Sequence, residues 1–281
     1  MHKITFDLMD FEEVEIVPIA DVHIGNPLCN EAEFKRIIDY VKEEPDNPKR
    51  ARICLLNGDL TESVTKSSRA GSVFDQTMSP SIQMATVVKY LLPLTETSKR
   101  YPNGKILSYC AGNHDFGRYS DTGISMSETI AVQLGLEDRY STDGCYSFIR
   151  VQKIWDVRDL TVFTIYNQHM TGGGTTVGGK ANRVAKISNG VIADCIVGSH
   201  VHSPITFKED VLVPDYRNKA IMQKTITYVV TNAFLRYGDY AQRNGMKPAT
   251  ISVPKIYLRQ GQTSRKGGKN QNRYTFIEVS L

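Results

Sequence analysis

Residues 14–25 have the sequence VEIVPIADVHIG, in which an apolar run over residues 14–20 ends directly in Asp21 and His23. A short run of this kind, bounded by polar residues, is typical of a buried strand. Residues two apart in an extended chain point to the same side, so Asp21 and His23 form a pair. The stretch therefore predicts a strand whose carboxyl end presents a carboxylate and an imidazole together.

Four further apolar runs end in polar residues of the same kinds. They lead into Asn57-Gly58-Asp59, Asn113-His114-Asp115, His169 and His200-Val201-His202. Loops that leave the carboxyl ends of strands in α/β sheets converge on one crevice, so these side chains can meet although they lie far apart in the sequence. A lone histidine is more often a structural or surface residue, but all of the six histidines except His2 lie in these motifs. Their joint occurrence indicates one site.

Helix signals lie between the first runs and give the chain a βα rhythm. Asn30, with Glu33 three residues later, forms a capping box, and apolar residues at helical spacing follow until Pro45 ends the pattern. A second helix begins at Ser79-Pro80, and a third ends at Gly135. The second helix is predicted to bury Met84, Val87, Val88, Leu91 and Leu92.

The rest of the chain is richer in strand-like content. After Cys145, two strands flank a polar turn at residues 156–159, and a weak helix signal at Val184 and Ile187 precedes the strand that leads to His200. Further β-branched and aromatic runs lie at residues 205–207, 211–213, 225–234, 256–258 and 274–279. Together these elements predict a mixed α/β sandwich.

The composition is that of an ordinary globular protein. The 281 residues are 41% hydrophobic and 23% charged, which is sufficient for a buried core, and we expect one domain over residues 1–281. The net charge of +4 and the pI near 8.7 favour acidic partners only slightly. This net charge is far below the concentrated positive charge of a dedicated nucleic-acid-binding module.

Cysteine usage and hydropathy predict a cytoplasmic protein that does not associate with membranes. The five cysteines have no CxxC spacing, so they indicate neither a disulfide framework nor a zinc ribbon. Cys54, Cys110 and Cys195 lie in or beside apolar runs and are expected to be small core residues. The N-terminal segment lacks the apolar stretch of a signal peptide, and no segment reaches the roughly 18 apolar residues of a membrane span.

The side chains in the motifs are of the types that bind metal ions. Carboxylate, amide and imidazole groups without thiolates suit Mn²⁺, Fe²⁺ or Zn²⁺, whereas Mg²⁺ favours fewer imidazoles. A carboxylate can bridge two ions, so the set fits a dinuclear site. We expect two divalent ions, with Mn²⁺ as the first choice and Fe, Zn, Ni or Mg as alternatives.

The motifs D-x-H, GD, GNHD, a lone histidine and G-x-H-x-H occur in the order of the calcineurin-like metallophosphoesterase superfamily, which the chain resembles over residues 16–202. The resemblance implies a four-layer αββα sandwich of two mixed β-sheets flanked by helices, with the active site at the carboxyl ends of the strands. It implies one ion on Asp21, His23 and His202, a second on Asn113, His169 and His200, and Asp59 as the bridge between them.

Such a site implies a hydrolytic mechanism. Two cations about 3.5 to 4 Å apart lower the pKa of a shared water toward neutrality and clamp the phosphate, so that hydroxide attacks in line. The resemblance implies that His114 approaches the leaving-group oxygen and that Asp115 orients His114. Protonated His114 would then stabilise or protonate the departing oxygen.

Differences between these motifs and those of known branches of the superfamily narrow the range of possible substrates. Protein serine/threonine phosphatases of the superfamily carry an Arg soon after GD and a Glu after GNH, whereas this chain has Leu60-Thr61-Glu62 and Asp115 there. The D-x-H-x-G opening is similar to the SbcD-like exonuclease branch, and the glycine-rich segment after His169 resembles that of phage-encoded members. We therefore expect a phosphodiesterase that acts on nucleic acid as a DNA exonuclease or endonuclease would, in a bacterial or phage-infected cell.

Two alternatives come from other functional classes. One is a small-molecule phosphodiesterase that acts on cyclic nucleotides or nucleotide-linked metabolites. The other is a non-catalytic scaffold, which has no physical need for seven ligand-type residues together with His114.

Several residues near the motifs are candidates for contacts with substrate phosphate. They are Lys66, Arg69, Lys180 and Arg183, the last two in or just after the glycine-rich segment 170–180. Glycines let a backbone approach an anion closely, although the segment also fits a flexible surface loop.

Residues 259–273 hold five basic residues and no acidic one, which fits either a solvated hairpin loop or a phosphate-contacting loop. Glu62 fits either a support for the site or an exposed loop carboxylate.

Overall fold

The computed structural model describes residues 2–8, 11–68, 72–151, 161–174, 176–238, 242, 247–248, 251–263 and 272–281. Within these residues the strands are β1 (His2–Leu8), β2 (Glu13–Ile19), β3 (Arg50–Asn57), β4 (Ile106–Cys110), β5 (Tyr140–Ser141), β6 (Cys145–Val151), β7 (Thr161–Gln168), β8 (Cys195–Gly198), β9 (Ile205–Asp215), β10 (Ala220–Val230), β11 (Lys255–Thr263) and β12 (Asn272–Ser280). The helices are α1 (Glu31–Lys42), α2 (Pro80–Leu91), α3 (Asn113–Thr122), α4 (Met126–Gln133) and α5 (Val177–Ala185), with short 3-10 turns at Leu92–Leu94, Glu137–Arg139 and Lys186–Asn189.

Two mixed six-stranded sheets form the centre of the fold. One has the strand order β1-β6-β7-β8-β10-β9 and the other β12-β11-β2-β3-β4-β5. Parallel pairs such as β2 with β3 and β7 with β8 lie inside the sheets, whereas an antiparallel hairpin closes one edge of each. The facing sides of the sheets bury apolar residues such as Ile53, Leu107 and Val197. The main core therefore lies between the sheets.

Helices cover the outer face of each sheet. α1, α2 and α4 pack on the sheet that contains β2, through residues such as Phe34, Val87 and Ile130. α5 packs on the other sheet through Val184. The order of layers is helix, sheet, sheet, helix, which confirms the predicted αββα sandwich. Among the described residues, no helix is long and apolar enough to cross a membrane.

The helix that follows the first motif forms as its sequence predicts. The side chain of Asn30 accepts a hydrogen bond from the backbone amide of Glu33 and so caps α1, whose apolar face is buried. α2 differs from its prediction, because Leu92 is 50% exposed while Gln83 is fully buried. Burial of Gln83 is tolerated because its oxygen accepts from the amide of Ser63 and its nitrogen donates to the loop before α2.

Several elements differ from the sequence prediction. The pattern predicts neither β1, which is stabilised by parallel pairing with the distant β6, nor α3, which has no apolar stripe. β9 is one long strand that includes both short runs predicted at residues 205–207 and 211–213. The ladder between β11 and β12 reaches the pair Thr263 and Asn272, and residues 264–271 of the predicted basic loop lie outside the described residues.

A buried ion pair joins β2 to β3. Nε of Arg52 donates to Oε2 of Glu15 at 3.1 Å, and both side chains are almost fully buried. The hydroxyl of Tyr40 donates to the other oxygen of Glu15, and Arg52 also donates to the carbonyl oxygens of Tyr40 and Glu43 at the end of α1. Because each charged group has several partners, the pair fastens α1 to the sheet.

Replacing Arg52 by Met should lower the free energy of unfolding by about 3 to 5 kcal/mol, because Glu15 would keep a buried charge without its partner. A Glu15→Gln, Arg52→Met double variant should regain part of that loss. Arg36→Ala is the matched control, since the pair of Arg36 with Glu33 lies on the surface and should contribute less than about 1 kcal/mol. Urea denaturation measures all three, and equal losses for Arg52→Met and Arg36→Ala would contradict this account.

Candidate metal centre

The predicted ligands lie just beyond the carboxyl ends of β2, β3, β4, β7 and β8. Seven non-glycine residues of the described part of the chain have positive φ, and five of them are predicted ligands: Asp21, His23, Asp59, His200 and His202, with φ between 49° and 83°. This left-handed conformation is uncommon for residues other than glycine. Strained backbone of this kind concentrates at functional sites and persists only where the surrounding structure holds it.

Backbone hydrogen bonds hold the first two ligand loops together. The amide of Asp21 donates to the carbonyl of Gly58 at 3.1 Å, and the amide of His23 donates to the carbonyl of Asp59 at 3.0 Å. The carbonyl of Asp21 in turn accepts from the amide of Phe234 at 3.0 Å. The pairing of β2 with β3 thus continues past the strand ends, which fixes the two loops relative to each other.

Asp21, His23 and His202 form a first group of donors. Their ligand atoms lie within 4.8 Å of one another, and Nε2 of His202 is 3.2 Å from Oδ1 of Asp21. Nδ1 of His23 lies 3.0 Å from Oε2 of Glu62, and because a carboxylate only accepts, Nδ1 carries the proton. The lone pair is then on Nε2 of His23, an atom that is buried and has no hydrogen-bond partner.

Asp59, His169 and His200 form a second group, again with ligand atoms within 4.8 Å of one another. Nε2 of His169 lies 3.2 Å from Oδ2 of Asp59. One end of the Asn113 amide lies 2.8 Å from Nε2 of His169, 2.7 Å from Nδ1 of His200 and 3.1 Å from Oδ2 of Asp59. An amide that faces three such atoms either donates to them through its nitrogen or turns its oxygen toward a shared cation.

Asp59 lies between the two groups. Its carboxylate belongs to the second group and also forms a third set of close donors with His23 and His114. Oδ1 of Asp59 accepts from the backbone amide of His114 at 3.0 Å, and the rings of His114 and His23 meet edge to face with centroids 4.7 Å apart. The structure therefore brings all seven predicted ligands and His114 into one neighbourhood.

The electrostatics of the cluster favour a localised positive charge. Burial alone would raise the pKa of Asp59, but the rings of His169 and His114 outweigh it and hold that pKa well below its usual range. Burial would lower the pKa of His169, yet the carboxylate of Asp59 raises it to about 9. Burial together with the charge on His169 lowers the pKa of His200 to about 4. His169 therefore holds its proton firmly beside Asp59, whereas protonation of His200 is disfavoured.

These residues fit divalent cations. Carboxylates, an amide and imidazoles without thiolates are ligands of borderline and hard ions. Two of the histidines turn one ring nitrogen toward the other donors while the second nitrogen is hydrogen-bonded on the far side. Nδ1 of His23 is bonded to Glu62, and Nδ1 of His169 to the carbonyl of Asn57 at 2.9 Å. The buried Nε2 of His23 without a partner is the atom that a bound ion would satisfy, because a polar atom left unpaired in the interior is costly.

A buried polar network supports His169 from behind. The amide nitrogen of Asn57 donates to the carbonyl of Gln168 and to the hydroxyl of Ser199, both at 3.1 Å, and the amide oxygen of Asn57 accepts from Asn167 at 3.1 Å. Oγ of Ser199 lies 2.8 Å from Nδ1 of His169. The network joins the two sheets beneath the site. The sequence pattern did not predict this network. Its one signal is that Asn57, Asn167 and Ser199 are polar residues in or beside apolar runs.

Asp115 has a different contact from the predicted one. Its carboxylate accepts from the backbone amides of Met126 and Ser127 at 2.6 and 2.9 Å and so caps α4. Nδ1 of His114 is held instead by the main-chain carbonyl of Glu62. Successive residues of a helix point about 100° apart, so Asp115 cannot face the same side of α3 as His114. The orienting role predicted for Asp115 is therefore corrected.

Two of the four predicted phosphate contacts lie on α5. Nζ of Lys180 donates to the hydroxyl of Ser203, directly after the last ligand motif, which places this lysine at the edge of the site. Arg183 donates from Nε to a carbonyl of the glycine-rich segment at 3.2 Å. Of the other two candidates, Lys66 is exposed and Arg69 lies outside the described residues.

Gly58 and Gly112 lie where the ligand loops are in direct contact. A Cβ on Gly112 would lie 2.0 Å from Oδ1 of Asp59, and a Cβ on Gly58 would lie 2.5 Å from Nδ1 of His169. Gly58 also has a φ of 86°. Neither position has room for a side chain, which explains the glycines of the GD and GN motifs.

Gly112→Ala should displace the carboxylate of Asp59 and weaken Mn²⁺ binding by about 10- to 100-fold. Gly117→Ala, in the helix that Gly112 precedes, is the matched control, because a Cβ there meets no atom within 4 Å, and Mn²⁺ affinity should stay unchanged. Calorimetric titration of both folded variants with Mn²⁺ measures the effect. Wild-type affinity in Gly112→Ala would show that Asp59 is not a ligand.

Comparison with known proteins does not assign a family to the chain. No family model matches the sequence, and no curated protein matches it. Among solved structures, the chain is similar to a conserved uncharacterized protein of Streptococcus pneumoniae TIGR4, which is described as a predicted phosphoesterase. The alignment covers 94% of this chain and 98% of that chain, with 9% sequence identity and a TM-score of 0.34. Likeness at that level carries no functional inference.

Proposed function

We propose that this protein is a metal-dependent phosphodiesterase that uses two divalent ions, with Mn²⁺ as the first choice, to hydrolyse phosphodiester bonds of nucleic acid. The observation that carries the proposal is the position of Asp59 between two groups of oxygen and nitrogen donors, with His114 beside it. A mononuclear site has no need for a second donor group. A purely structural metal site has no need for a further imidazole, that of His114, beside its ligands.

Each of the two ions would be held by donors whose ligand atoms lie close to one another. Asp21, His23 and His202 would hold one ion, Asn113, His169 and His200 the other, and Asp59 both. Ions bound in this way acidify water and neutralise phosphate oxygens. The protein's own contribution is to hold its donors in fixed directions before ions and substrate arrive, which lowers the cost of reorganisation during the reaction.

His114 is the proposed proton donor to the leaving oxygen. The carbonyl of Glu62 only accepts, so Nδ1 of His114 carries a proton and the ring cannot rotate freely. Burial alone would lower the pKa of His114, but the carboxylates of Asp59 and Glu62 raise it, which favours the doubly protonated ring. Nε2–H of that ring can then give its proton to an oxygen bound near Asp59, which leaves His114 neutral with its remaining proton on Nδ1. General acid catalysis of this kind contributes about 10²- to 10⁴-fold to the rate.

The surroundings of the site support nucleic acid as the substrate. Lys180 and Arg183 supply positive charge on α5 next to the ligand loop. Phe116 lies one helical turn after Asn113 and is 45% exposed, so its ring is available for stacking on a base. The D-x-H-x-G opening is similar to that of the SbcD-like exonuclease branch. The residues Leu60-Thr61-Glu62 and Asp115 depart from the pattern of phosphoprotein phosphatases.

Activity with Mn²⁺ should be measured on a model phosphodiester, a model phosphomonoester, single- and double-stranded DNA, RNA and cyclic nucleotides. We expect hydrolysis of the diester and of nucleic acid, with loss of activity on chelation and recovery on adding Mn²⁺. A preference for the monoester would overturn the proposed phosphodiesterase. Turnover of cyclic nucleotides without cleavage of DNA or RNA would favour a small-molecule phosphodiesterase.

His114→Ala should lower kcat by about 10²- to 10⁴-fold while both ions stay bound, because His114 acts on the leaving group. Asp59→Asn should lose ions and activity together, because it removes the shared charge. Metal content by mass spectrometry, measured beside kcat, separates the two effects. Loss of both ions in His114→Ala, or full activity in Asp59→Asn, is incompatible with these roles.

A further inference from the structure

Glu62 is a buried carboxylate on the loop after the second ligand motif, and its backbone is fixed from both sides. The residue is 4% exposed, and its amide donates to the carbonyl of Ile24 at 2.9 Å, next to His23. The following residue, Ser63, has a φ of 51°, and its amide donates to Oε1 of the buried Gln83 at 3.0 Å. A solvated loop carboxylate would have neither this burial nor these contacts.

The side chain of Glu62 points at the outer nitrogen of His23. Oε2 of Glu62 lies 3.0 Å from Nδ1 of His23, and both side chains are almost fully buried. Since the carboxylate only accepts, the bond selects the tautomer with hydrogen on Nδ1. Nε2 then keeps its lone pair on the side of Asp21 and His202, where it is buried without a partner.

The main chain of Glu62 contacts the second ring. Its carbonyl accepts from Nδ1 of His114, whose ring centroid lies 4.7 Å from that of His23. The backbone contact with His114 does not depend on the identity of the side chain at position 62. A substitution of Glu62 therefore tests the bond to His23 without removing the partner of His114.

We propose that Glu62 is a positioning residue, whose carboxylate holds His23 as the Nδ1–H tautomer so that Nε2 can bind the ion shared with Asp21 and His202. The inference rests on the proposed function, since it concerns the same site. A ring free to rotate or to change tautomer would present its lone pair only part of the time. Partners of this kind on the outer nitrogen of a ligand histidine change metal affinity by about 10- to 100-fold.

Calorimetric titration with Mn²⁺ in the absence of substrate tests this role in wild type, Glu62→Gln and Glu62→Leu. Glu62→Leu should weaken one of the two ions by about 10- to 100-fold and leave the other unchanged. Glu62→Gln should remain close to wild type, because its amide oxygen can still accept from Nδ1. Asp121→Asn is the matched control, since Asp121 is an exposed carboxylate that accepts from Thr65 and Ser67 of the same loop.

The tautomer of His23 is measured directly by ¹⁵N NMR of the imidazole rings in metal-free wild type. We expect a protonated Nδ1 and an unprotonated Nε2, and the opposite tautomer would overturn the inference even if Glu62→Leu failed to fold. Wild-type ion affinity in Glu62→Leu would also overturn it, while leaving the two-ion site intact. If wild type itself bound no ion, the proposed function would fail together with the inference.

Discussion

Nitrogen and oxygen atoms with lone pairs are held close together at the carboxyl ends of the strands, and this closeness costs free energy. The ligand atoms of Asp59, His169 and His200 lie within 4.8 Å of one another in a largely buried setting. Acceptors held so close repel one another unless positive charge lies among them. The pKa shifts reflect the same demand, because Asp59 resists protonation while His169 retains its proton. The fold must therefore supply enough stabilisation elsewhere to keep these groups together.

That stabilisation comes from contacts within the fold around the site. The buried network of Asn57, Asn167 and Ser199 joins the two sheets beneath the site, so His169 cannot retreat into the core. Gly58 and Gly112 let the ligand loops touch without an intervening side chain. The ladder that continues past β2 and β3 maintains the positive φ at Asp21, His23 and Asp59, since strained backbone persists only where its surroundings over-determine it.

The sequence predicts those parts of the fold that depend on local patterns. α1 forms from its capping box and apolar spacing, and the strands that lead to the ligands follow from apolar runs that stop at polar residues. The pattern fails for two elements: β1 pairs with the distant β6, and α3 has no apolar stripe by which a helix could be predicted. The set of candidate ligands was predictable because each of them marks a strand end. The network behind His169 was not, because single polar residues in apolar runs do not reveal which partners they meet.

Neighbours in the sequence are poor guides to neighbours in the site. Asp115 follows His114 directly, yet in a helix the two side chains point about 100° apart, and Asp115 caps α4 instead. The contacts to His114 and His23 come from Glu62, which is distant in sequence. It follows β3, whose parallel pairing with β2 and with β4 brings it to both rings. Parallel sheets make such convergence general, because every loop at their carboxyl edge approaches the loops of adjacent strands. The partner that orients a ligand at this edge is therefore to be sought on the adjacent strand's loop before it is sought beside the ligand in the chain.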